Sequence, residues 1–273
     1  MNYPAYVLGS DEAELARLQA QAALLAEPTG ALLTRAGLRE GMRVLDLGTG
    51  PGDVAFQLGR IVGPEGSVVG VEKDPVQIGA AEIRLAESRA ENIVFRQGDA
   101  RAFTDGQPFD AVVCRLLLMH LPDAVEVLAH HMGNLRPGGL FVAVDYDQGG
   151  SRALPEVALY SRLQEWIRAG FQFAHADPYV GQRLPVMFAQ AGYTEVSALG
   201  LQMYWSPDDR HVAATYLVGV VRAMKDVIVA SGAATEAEIG IDTLEQRLAD
   251  DLQAANAVSS MPTVVGGWGR RPR

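Results

Sequence analysis

Short apolar runs alternate with amphipathic stretches across residues 42–145 of the chain. Runs of four to seven mostly apolar residues predict buried strands, and the longer stretches between them carry apolar residues at helical spacing. The predicted strands are 43–47, 67–71, 92–96, 110–114 and 139–145, and the predicted helices are 53–62, 75–89 and 123–134. This alternation predicts a parallel sheet with helices on both faces.

The N-terminal flank predicts two helices. Ser10 precedes several acidic residues and suits a helix N-cap, from which apolar residues continue at helical spacing to about Glu27. Residues 28–30 contain proline and glycine, which predict an interruption, and residues 31–36 predict a short second helix.

The regular alternation stops at Gly149 and Gly150. Beyond them the pattern predicts an amphipathic helix over 155–171, a helix over 183–191 and a long strand over 193–205. Two more helices, 206–231 and 235–257, begin with the capping sequences SPDD and TEAE. The last apolar stretch, MPTVVGGWGR, predicts a final strand.

The first predicted strand leads into a glycine loop, RVLDLGTGPGDV, over residues 43–54. Asp46 precedes three alternating glycines, which are Gly48, Gly50 and Gly52. Glycine tolerates positive φ and lets backbone N–H groups approach a ligand. Asp53 stands where the GxGxxG of dinucleotide-binding folds needs its last glycine, so the spacing argues against a nucleotide-dependent oxidoreductase. The acid suits a ligand that carries an ammonium group.

Polar residues also lie at the ends of the other predicted strands. Glu72 follows the second strand, Asp99 follows the third and Arg115 follows the fourth, while Asp145 is the last residue of the fifth. The carboxyl ends of parallel strands meet at one edge of a sheet, where ligands bind at the switch point. These residues therefore predict one ligand site.

The glycine loop resembles that of the class I S-adenosylmethionine (SAM)-dependent methyltransferases, among them bacterial small-molecule enzymes of the UbiE type. The resemblance continues through VVGVEKD, NIVFRQGDA, FDAVVCRLLLMHLPD and LRPGGLFVAVD. The resemblance covers residues 41–145. It implies an α/β fold with a Rossmann-like, seven-stranded, mostly parallel sheet and an added helical cap. It also implies an antiparallel pair, which we assign to residues 194–205 and 262–269.

This assignment divides the chain into six segments. They are an N-terminal helical lid (1–37), a SAM-binding core (38–148), a cap insertion (149–179), the continued core (180–205), a helical insertion (206–259), and a final strand and tail (260–273). The helical insertion would serve as a lid or as the surface of a homodimer.

The resemblance implies a set of SAM-binding residues. Glu72 would accept hydrogen bonds from the ribose hydroxyls, and Asp99 with the Ala100 N–H would bind adenine. Asp46 would either bind the ligand or tie the glycine loop to neighbouring backbone. The full set is Asp46, Gly48, Gly50, Gly52, Glu72, Lys73, Asp99, Ala100 and Arg115, with Tyr6, Arg17 and Gln21 from the lid.

Methyl transfer from a sulfonium is an in-line displacement, so a base is needed only when the acceptor must lose a proton. The candidates for a base or substrate ligand are His120, Asp145 and His175. His120 has a suitable reference pKa, roughly 6.5, but its place before Pro122 also fits a packing role. His130 and His131 are expected on a solvated helix remote from the site.

We predict no metal site. Cys114 and Arg115 follow the fourth strand, where metal-dependent catechol-type enzymes place an acid, and no CxxC or HxxxH pattern occurs.

Net charge and cysteine content limit the kinds of binding partner and cellular compartment that the sequence suggests. The net charge is −10, and the one basic cluster, Arg270, Arg271 and Arg273, is expected to be solvated, so nucleic acid is excluded as a partner. Cys114 is the single cysteine, which excludes an intramolecular disulfide. Without a secretion signal or a membrane-spanning stretch, a cytoplasmic protein is expected.

We therefore expect a SAM-dependent methyltransferase of bacterial secondary metabolism that acts on a small molecule. The cap is rich in aromatic residues, which are Tyr160, Trp166, Phe171, Phe173, Tyr179, Tyr204 and Trp205. These residues favour an aromatic or natural-product-like acceptor, although each also fits plain packing. O-methylation is the first expectation, and N- or C-methylation is left open. The alternative is a SAM-binding homologue that transfers no methyl group.

Overall fold

The computed structural model describes the backbone of residues 12–273 and the side chains of residues 21–273. Two compact units divide the chain. We call residues 18–145, 180–200 and 264–273 the sheet unit, and residues 146–179 and 201–263 the principal part of the helical unit.

Ten strands are formed by the described residues. They are β1 (Arg43–Leu47), β2 (Ser67–Glu72), β3 (Ile93–Gln97), β4 (Phe109–Arg115), β5 (Leu135–Asp147), β6 (Arg152–Leu154), β7 (Thr194–Leu201), β8 (Tyr204–Trp205), β9 (Val258–Ser260) and β10 (Thr263–Arg270). Seven of them form one sheet in the order β3-β2-β1-β4-β5-β10-β7.

The described part of the chain also forms ten α-helices. They are α1 (Glu12–Ala36), α2 (Asp53–Val62), α3 (Pro75–Glu87), α4 (Ala124–His131), α5 (Ala158–Phe173), α6 (Val180–Gln190), α7 (Arg210–Ala223), α8 (Lys225–Ala230), α9 (Glu236–Ile239) and α10 (Ile241–Ala254). Their apolar faces follow the sequence pattern; α2, for example, buries Val54, Leu58 and Val62.

Strands β1 to β5 pair in parallel, as the alternation of strands and helices predicts. Leu47 at the end of β1 lies opposite Val71 of β2 and Cys114 of β4, so the carboxyl ends of these strands share one edge. β10 runs antiparallel to β5, because Gly138 and Gly139 at the start of the β5 core exchange backbone hydrogen bonds with Arg271, which follows β10. The Rossmann-like, seven-stranded, mostly parallel sheet is therefore confirmed.

The predicted break in the first helix is wrong. α1 continues through Pro28 as a single helix of 25 residues. Proline lacks the backbone N–H that would bind the carbonyl of residue 24. The neighbouring Ala26 carbonyl accepts a 2.7 Å side-chain hydrogen bond from Gln57, which ties α1 to α2. Leu25 and Leu32, on either side of the proline, are fully buried, so packing outweighs the local preference.

The long strand predicted over 193–205 is also wrong in its second half. β7 ends at Leu201, and β8 belongs to a separate three-stranded sheet of the helical unit, in the order β6-β9-β8. Between the two strands, the Gln202 side chain donates to the Met261 carbonyl and accepts a 2.5 Å hydrogen bond from Thr263. These long-range bonds fix the break, and nothing local in the sequence indicates them.

The helical unit packs α5 against α7, α8 and α10. Both predicted helix starts form capping boxes, Ser206 with Asp209 and Thr235 with Glu238. Each predicted helix is divided: the first into a 3₁₀ turn, α7 and α8, and the second into α9 and α10 at Gly240, whose φ is 52°. Among the helices of the described residues, none has the length and apolar character needed to cross a membrane.

Candidate cofactor site

The glycine loop joins β1 to α2 in the sheet unit. Gly48, Gly50 and Gly52 have φ values of 64°, 54° and 90°, in the left-handed region that favours glycine. A Cβ on Gly52 would also lie 2.7 Å from the Phe95 ring. Glycine is therefore required there by both backbone conformation and packing, which agrees with the sequence prediction of a tight turn.

Asp46 ties this loop to the sheet. Its side chain is 1% exposed, and Thr49 donates a 2.6 Å hydrogen bond to it. The Thr49 N–H in turn donates to the Val71 carbonyl of β2. Burial raises the pKa of Asp46 to about 7, although the Thr49 hydrogen bond and the charge of Arg115 oppose the shift. The geometry thus gives Asp46 a structural bond, and direct contact with a ligand stays a prediction.

Glu72 connects the end of β2 to the same loop. Its Oε2 accepts a 3.1 Å hydrogen bond from the Gly50 N–H, and its Oε1 accepts from the N–H groups of Lys73 and Asp74. A carboxylate has about four lone-pair sites, so Oε2 keeps one acceptor site for a ligand. Lys73 enters this geometry through its backbone, while its side chain is exposed.

The segment after β3 lies beside Glu72, because the Gly98 N–H donates to the Glu72 carbonyl at 2.9 Å. Asp99 is exposed, and its carboxylate accepts a hydrogen bond from the Arg101 N–H. The Ala100 carbonyl accepts a 2.7 Å hydrogen bond from His131 Nε2. The two residues predicted to bind adenine are thus held next to the residue predicted to bind ribose.

His131 corrects another expectation. It is fully buried instead of solvated, and its Nδ1 accepts a 2.9 Å hydrogen bond from Asn134. Burial lowers the pKa of His131 to about 4, so the ring is neutral at pH 7. The signal was present in the sequence, because His131 continues the apolar face formed by Val127 and Leu128 on α4.

A strained turn follows β4 at the same edge. Leu116 has a φ of 51°, and the chain then forms a 3₁₀ turn, Leu118–His120. Asp145 is buried, and its carboxylate accepts a 3.2 Å hydrogen bond from the Met119 N–H. Asp145 therefore holds the turn that carries the half-buried His120.

This turn also packs on the glycine loop, since a Cβ on Gly48 would lie 3.1 Å from the Leu117 side chain. Cys114 is buried at the same strand end; burial raises the pKa of its thiol, and the Asp145 and Asp46 carboxylates raise it further. Arg115 is half-buried at the end of β4, and its charge acts on Asp46.

Four further predicted site residues lie elsewhere in the chain sequence. His175 belongs to the helical unit, where it is exposed after α5. Gln21 is half-buried on α1, Tyr6 lies outside the described residues, and Arg17 lies where side chains are not described. Among the residues that the structure describes, no group of three or more His, Cys, Asp or Glu side chains is arranged to hold a metal ion.

A family profile described as a methyltransferase domain matches residues 38–192, which is more than half of the chain and includes the whole site. The chain belongs to this methyltransferase family. Within the family, a demethylmenaquinone methyltransferase of Lactococcus lactis is 32% identical over 152 residues, covering 55% of this chain and 56% of the relative. This methyltransferase thus spans little more than half the length of that relative.

Two further similarities extend beyond the matched domain. Methyltransferase str2 of Strobilurus tenacellus is 27% identical over 234 residues, covering 85% of this methyltransferase and 82% of the relative. The crystal structure of a putative methyltransferase from Bacillus halodurans superimposes with a TM-score of 0.55 at 20% identity, covering 89% of this chain and 98% of that one. The structural likeness supports the fold.

The residues at this edge fit SAM as a cofactor. Glu72 offers a carboxylate acceptor beside the glycine loop, as the hydroxyls of a ribose require. The exposed Asp99 offers a second acceptor one strand away.

Proposed function

We propose that this protein transfers the methyl group of SAM to a small-molecule acceptor. The observation that carries the proposal is the Glu72 carboxylate, which bridges the Gly50 N–H and the end of β2 while keeping one acceptor site. Such an acceptor beside a glycine loop suits a ligand with vicinal hydroxyls and a cationic end, whereas a pyrophosphate would be repelled.

The cofactor would be held by contacts from four strand ends. Glu72 accepts a ribose hydroxyl, and Asp99 with the Ala100 N–H binds the adenine edge. Arg115 faces the methionine part, and Asp46 keeps the glycine loop in place through Thr49. SAM supplies an activated methyl group, so the protein's contribution is to align the two reactants and exclude water.

O-methylation is the finer proposal. His120 would accept the hydroxyl proton of the acceptor, since imidazole is a suitable general base near neutrality. Asp145 would position His120 by holding the Met119 N–H. A direct role for Asp145 or His175 as base is the alternative assignment.

The helical unit, taken by itself, supports an aromatic or natural-product-like acceptor. The Trp205 ring contacts Tyr216 with centroids 5.5 Å apart, and the Tyr216 hydroxyl donates to Tyr146 at 3.1 Å. The other aromatic residues predicted for the cap differ in burial. Tyr160, Trp166 and Phe171 are buried, whereas Phe173 and Tyr204 are exposed. The Tyr160 hydroxyl donates to the Ser260 carbonyl, which is a packing role.

C-methylation is the second candidate. It is favoured by relatives whose names describe C-methyltransferases of ubiquinone and menaquinone biosynthesis, one of them 32% identical over 120 residues. A C-methyltransferase of this kind would act on a carbon activated by the acceptor itself. That carbon gives up its hydrogen as a proton when the methyl group binds, so His120 would accept this proton instead of a hydroxyl proton.

The first test is calorimetric titration of the protein with S-adenosylhomocysteine, with NAD as the control ligand. We expect micromolar affinity for the former and none for NAD. Binding of neither compound would contradict the cofactor site.

The second test uses SAM labelled in its methyl group with a panel of phenolic and hydroquinone acceptors. The mass and position of the label in the product distinguish O- from C-methylation. Tight binding of SAM without transfer to any acceptor would favour the non-transferring homologue.

A further inference from the structure

The segment after β3 is tied to α4 along its whole length. We call residues 98–105 the post-β3 loop. The Arg101 guanidinium forms an ion pair with Asp123, just before α4, and the Ala100 carbonyl binds His131 at the end of α4. Asn134, beyond that end, donates to the Phe103 carbonyl at 2.8 Å and accepts from the Asp105 N–H at 3.3 Å.

His131 and Asn134 form the buried part of this connection. The Ala100 carbonyl can only accept, so His131 Nε2 carries the proton and donates, while Nδ1 accepts from Asn134 Nδ2. Both ring nitrogens are thus used, and the ring is fully buried. The pair is a fixed bridge between α4 and the loop, and no step of the proposed reaction uses it.

The position of this bridge relates it to the cofactor. Ala100 lies two residues after Gly98, whose N–H binds the Glu72 carbonyl on β2. The loop is therefore fixed on one side to the strand that carries the proposed ribose ligand and on the other side to His131. Asp99 and the Ala100 N–H, the proposed adenine ligands, lie between these two attachments.

We propose that His131, with Asn134, is a positioning residue that sets adenine affinity and selectivity through the Ala100 carbonyl. The inference rests on the proposed function, because it needs adenine at Asp99 and Ala100. His131 itself touches no cofactor. Without it, the buried Ala100 carbonyl has no donor from α4, and the loop shifts away from the geometry that favours an adenine amino group.

Three variants separate positioning from general stability. His131→Phe keeps the ring and removes both hydrogen bonds. His131→Gln keeps a donor near Nε2 and an acceptor, so it is the conservative rescue. Tyr193→Phe is the matched control, because its hydroxyl donates a buried 2.8 Å bond to the Leu128 carbonyl of α4 but does not bind the post-β3 loop.

The readouts are the dissociation constants of S-adenosylhomocysteine and of S-inosylhomocysteine, in which a carbonyl replaces the adenine amino group. Their ratio measures selectivity for adenine, and a loss of stability alone does not change it. We expect His131→Phe to weaken S-adenosylhomocysteine binding about tenfold, as for a lost positioning hydrogen bond, and to bring the two affinities closer together. His131→Gln should recover most of both losses, and Tyr193→Phe should lower Tm while leaving the ratio unchanged.

An unchanged ratio in a folded His131→Phe protein, or an equal change in Tyr193→Phe, would overturn the proposal. If His131→Phe does not fold, Asn134→Ala is used in its place and is judged by the same ratio. Wild-type protein that binds neither nucleoside would contradict the cofactor site itself, and the positioning role would fall with it. If wild-type protein binds S-adenosylhomocysteine and the variants keep the wild-type ratio of the two dissociation constants, only the positioning role is contradicted.

Discussion

Burial of the Asp46 carboxyl group disfavours its ionised form. Its pKa is raised from 3.8 to about 7, because burial outweighs the Thr49 hydrogen bond and the Arg115 charge. The folded state therefore holds the proton more tightly than the unfolded state between about pH 4 and pH 7. In that window the free energy of unfolding falls as pH rises, by about 4 kcal/mol in total, since each pKa unit is worth about 1.4 kcal/mol.

Asp46→Asn should remove this penalty. Asparagine still accepts from Thr49 through its amide oxygen, so the loop bond is kept. We expect the variant to gain stability relative to wild type as pH rises from 5 to 8, measured by denaturant unfolding. A difference between the two proteins that does not depend on pH would show that Asp46 is ionised at an ordinary pKa. If Asp46 contacts SAM, the gain in stability will accompany weaker SAM binding.

Glu72→Ala should weaken S-adenosylhomocysteine binding. The loss should be about 1–2 kcal/mol, the value of hydrogen bonds that involve a charged group. The substitution also releases Gly50 from β2. Glu72→Gln is the control, since one amide oxygen can replace only part of the acceptor set, and an intermediate affinity is expected by calorimetry. Wild-type affinity in Glu72→Ala would contradict the ribose assignment.

Individual residues differ in how far the sequence predicts them. Gly48, Glu72 and Asp99 lie at the ends of strands whose pattern is clear, so their place on one edge follows from the parallel pairing alone. The bond between Asp145 and Met119, and that between His131 and Ala100, join residues 26 and 31 positions apart. Such bonds depend on how separate elements pack, which local pattern does not determine.

Two of the C-terminal arginines bind the backbone just after α4. All of the C-terminal arginines were expected to be solvated, and this is wrong for two of them: Arg271 donates to the carbonyls of Met132 and Leu135, and Arg270 donates to the Gly138 carbonyl. A cationic side chain is favourable at the carbonyl end of a helix, where the Met132 carbonyl also accepts from the Leu135 N–H at 3.3 Å. Charge alone does not distinguish such a contact from a solvated tail.

Arg271→Ala should therefore destabilise the end of α4. We expect a loss of about 1–2 kcal/mol in the free energy of unfolding, as for hydrogen bonds from a charged donor. Arg273→Ala is the matched control, because Arg273 is exposed at the chain end and should have no effect. Equal stability of the two variants in denaturant unfolding would contradict the role of Arg271.

Among whole elements, the pattern predicts the five parallel strands to within about two residues at most ends. The apolar runs are short and distinct, and all of these strands except β3, whose burial alternates, are largely buried on both faces. The pattern fails for α1, where Pro28 is accommodated by tertiary contacts, and at Gln202, where a side chain ends one strand and the next joins another sheet. Proline and glutamine act here through partners far away in the sequence.

Across the whole chain, two buried groups oppose each other in their effect on stability. The pKa of His131 is lowered from 6.5 to about 4, so the unfolded state binds more protons between these values and stability is lost as pH falls through that range. Asp46 has the opposite sign over much of the same range. The two contributions largely cancel between about pH 4 and pH 6.5.

The effect of each group on the pH dependence of stability should therefore become visible when the other group is removed. We expect the stability of Asp46→Asn to rise with pH relative to wild type between pH 4.5 and 6.5, and that of His131→Gln to fall over the same interval. Unfolding free energies at closely spaced pH values measure both slopes. Slopes of the same sign would contradict the opposed ionisation of the two groups.

The division of the chain into the sheet unit and the helical unit affects how the protein can evolve and how it can be engineered. Beyond Leu18, where the sheet unit begins, the backbone passes between the sheet unit and the helical unit after Asp145, Tyr179, Gly200 and Thr263, and each of the two main segments of the helical unit interrupts the chain order of the sheet. Strands β1 to β4 and the proposed cofactor ligands at their ends precede every one of these four points. Relatives can therefore exchange or enlarge the two inserted segments during evolution while inheriting the proposed cofactor edge intact, and a chimaera that replaces both segments needs two coordinated splices, not one.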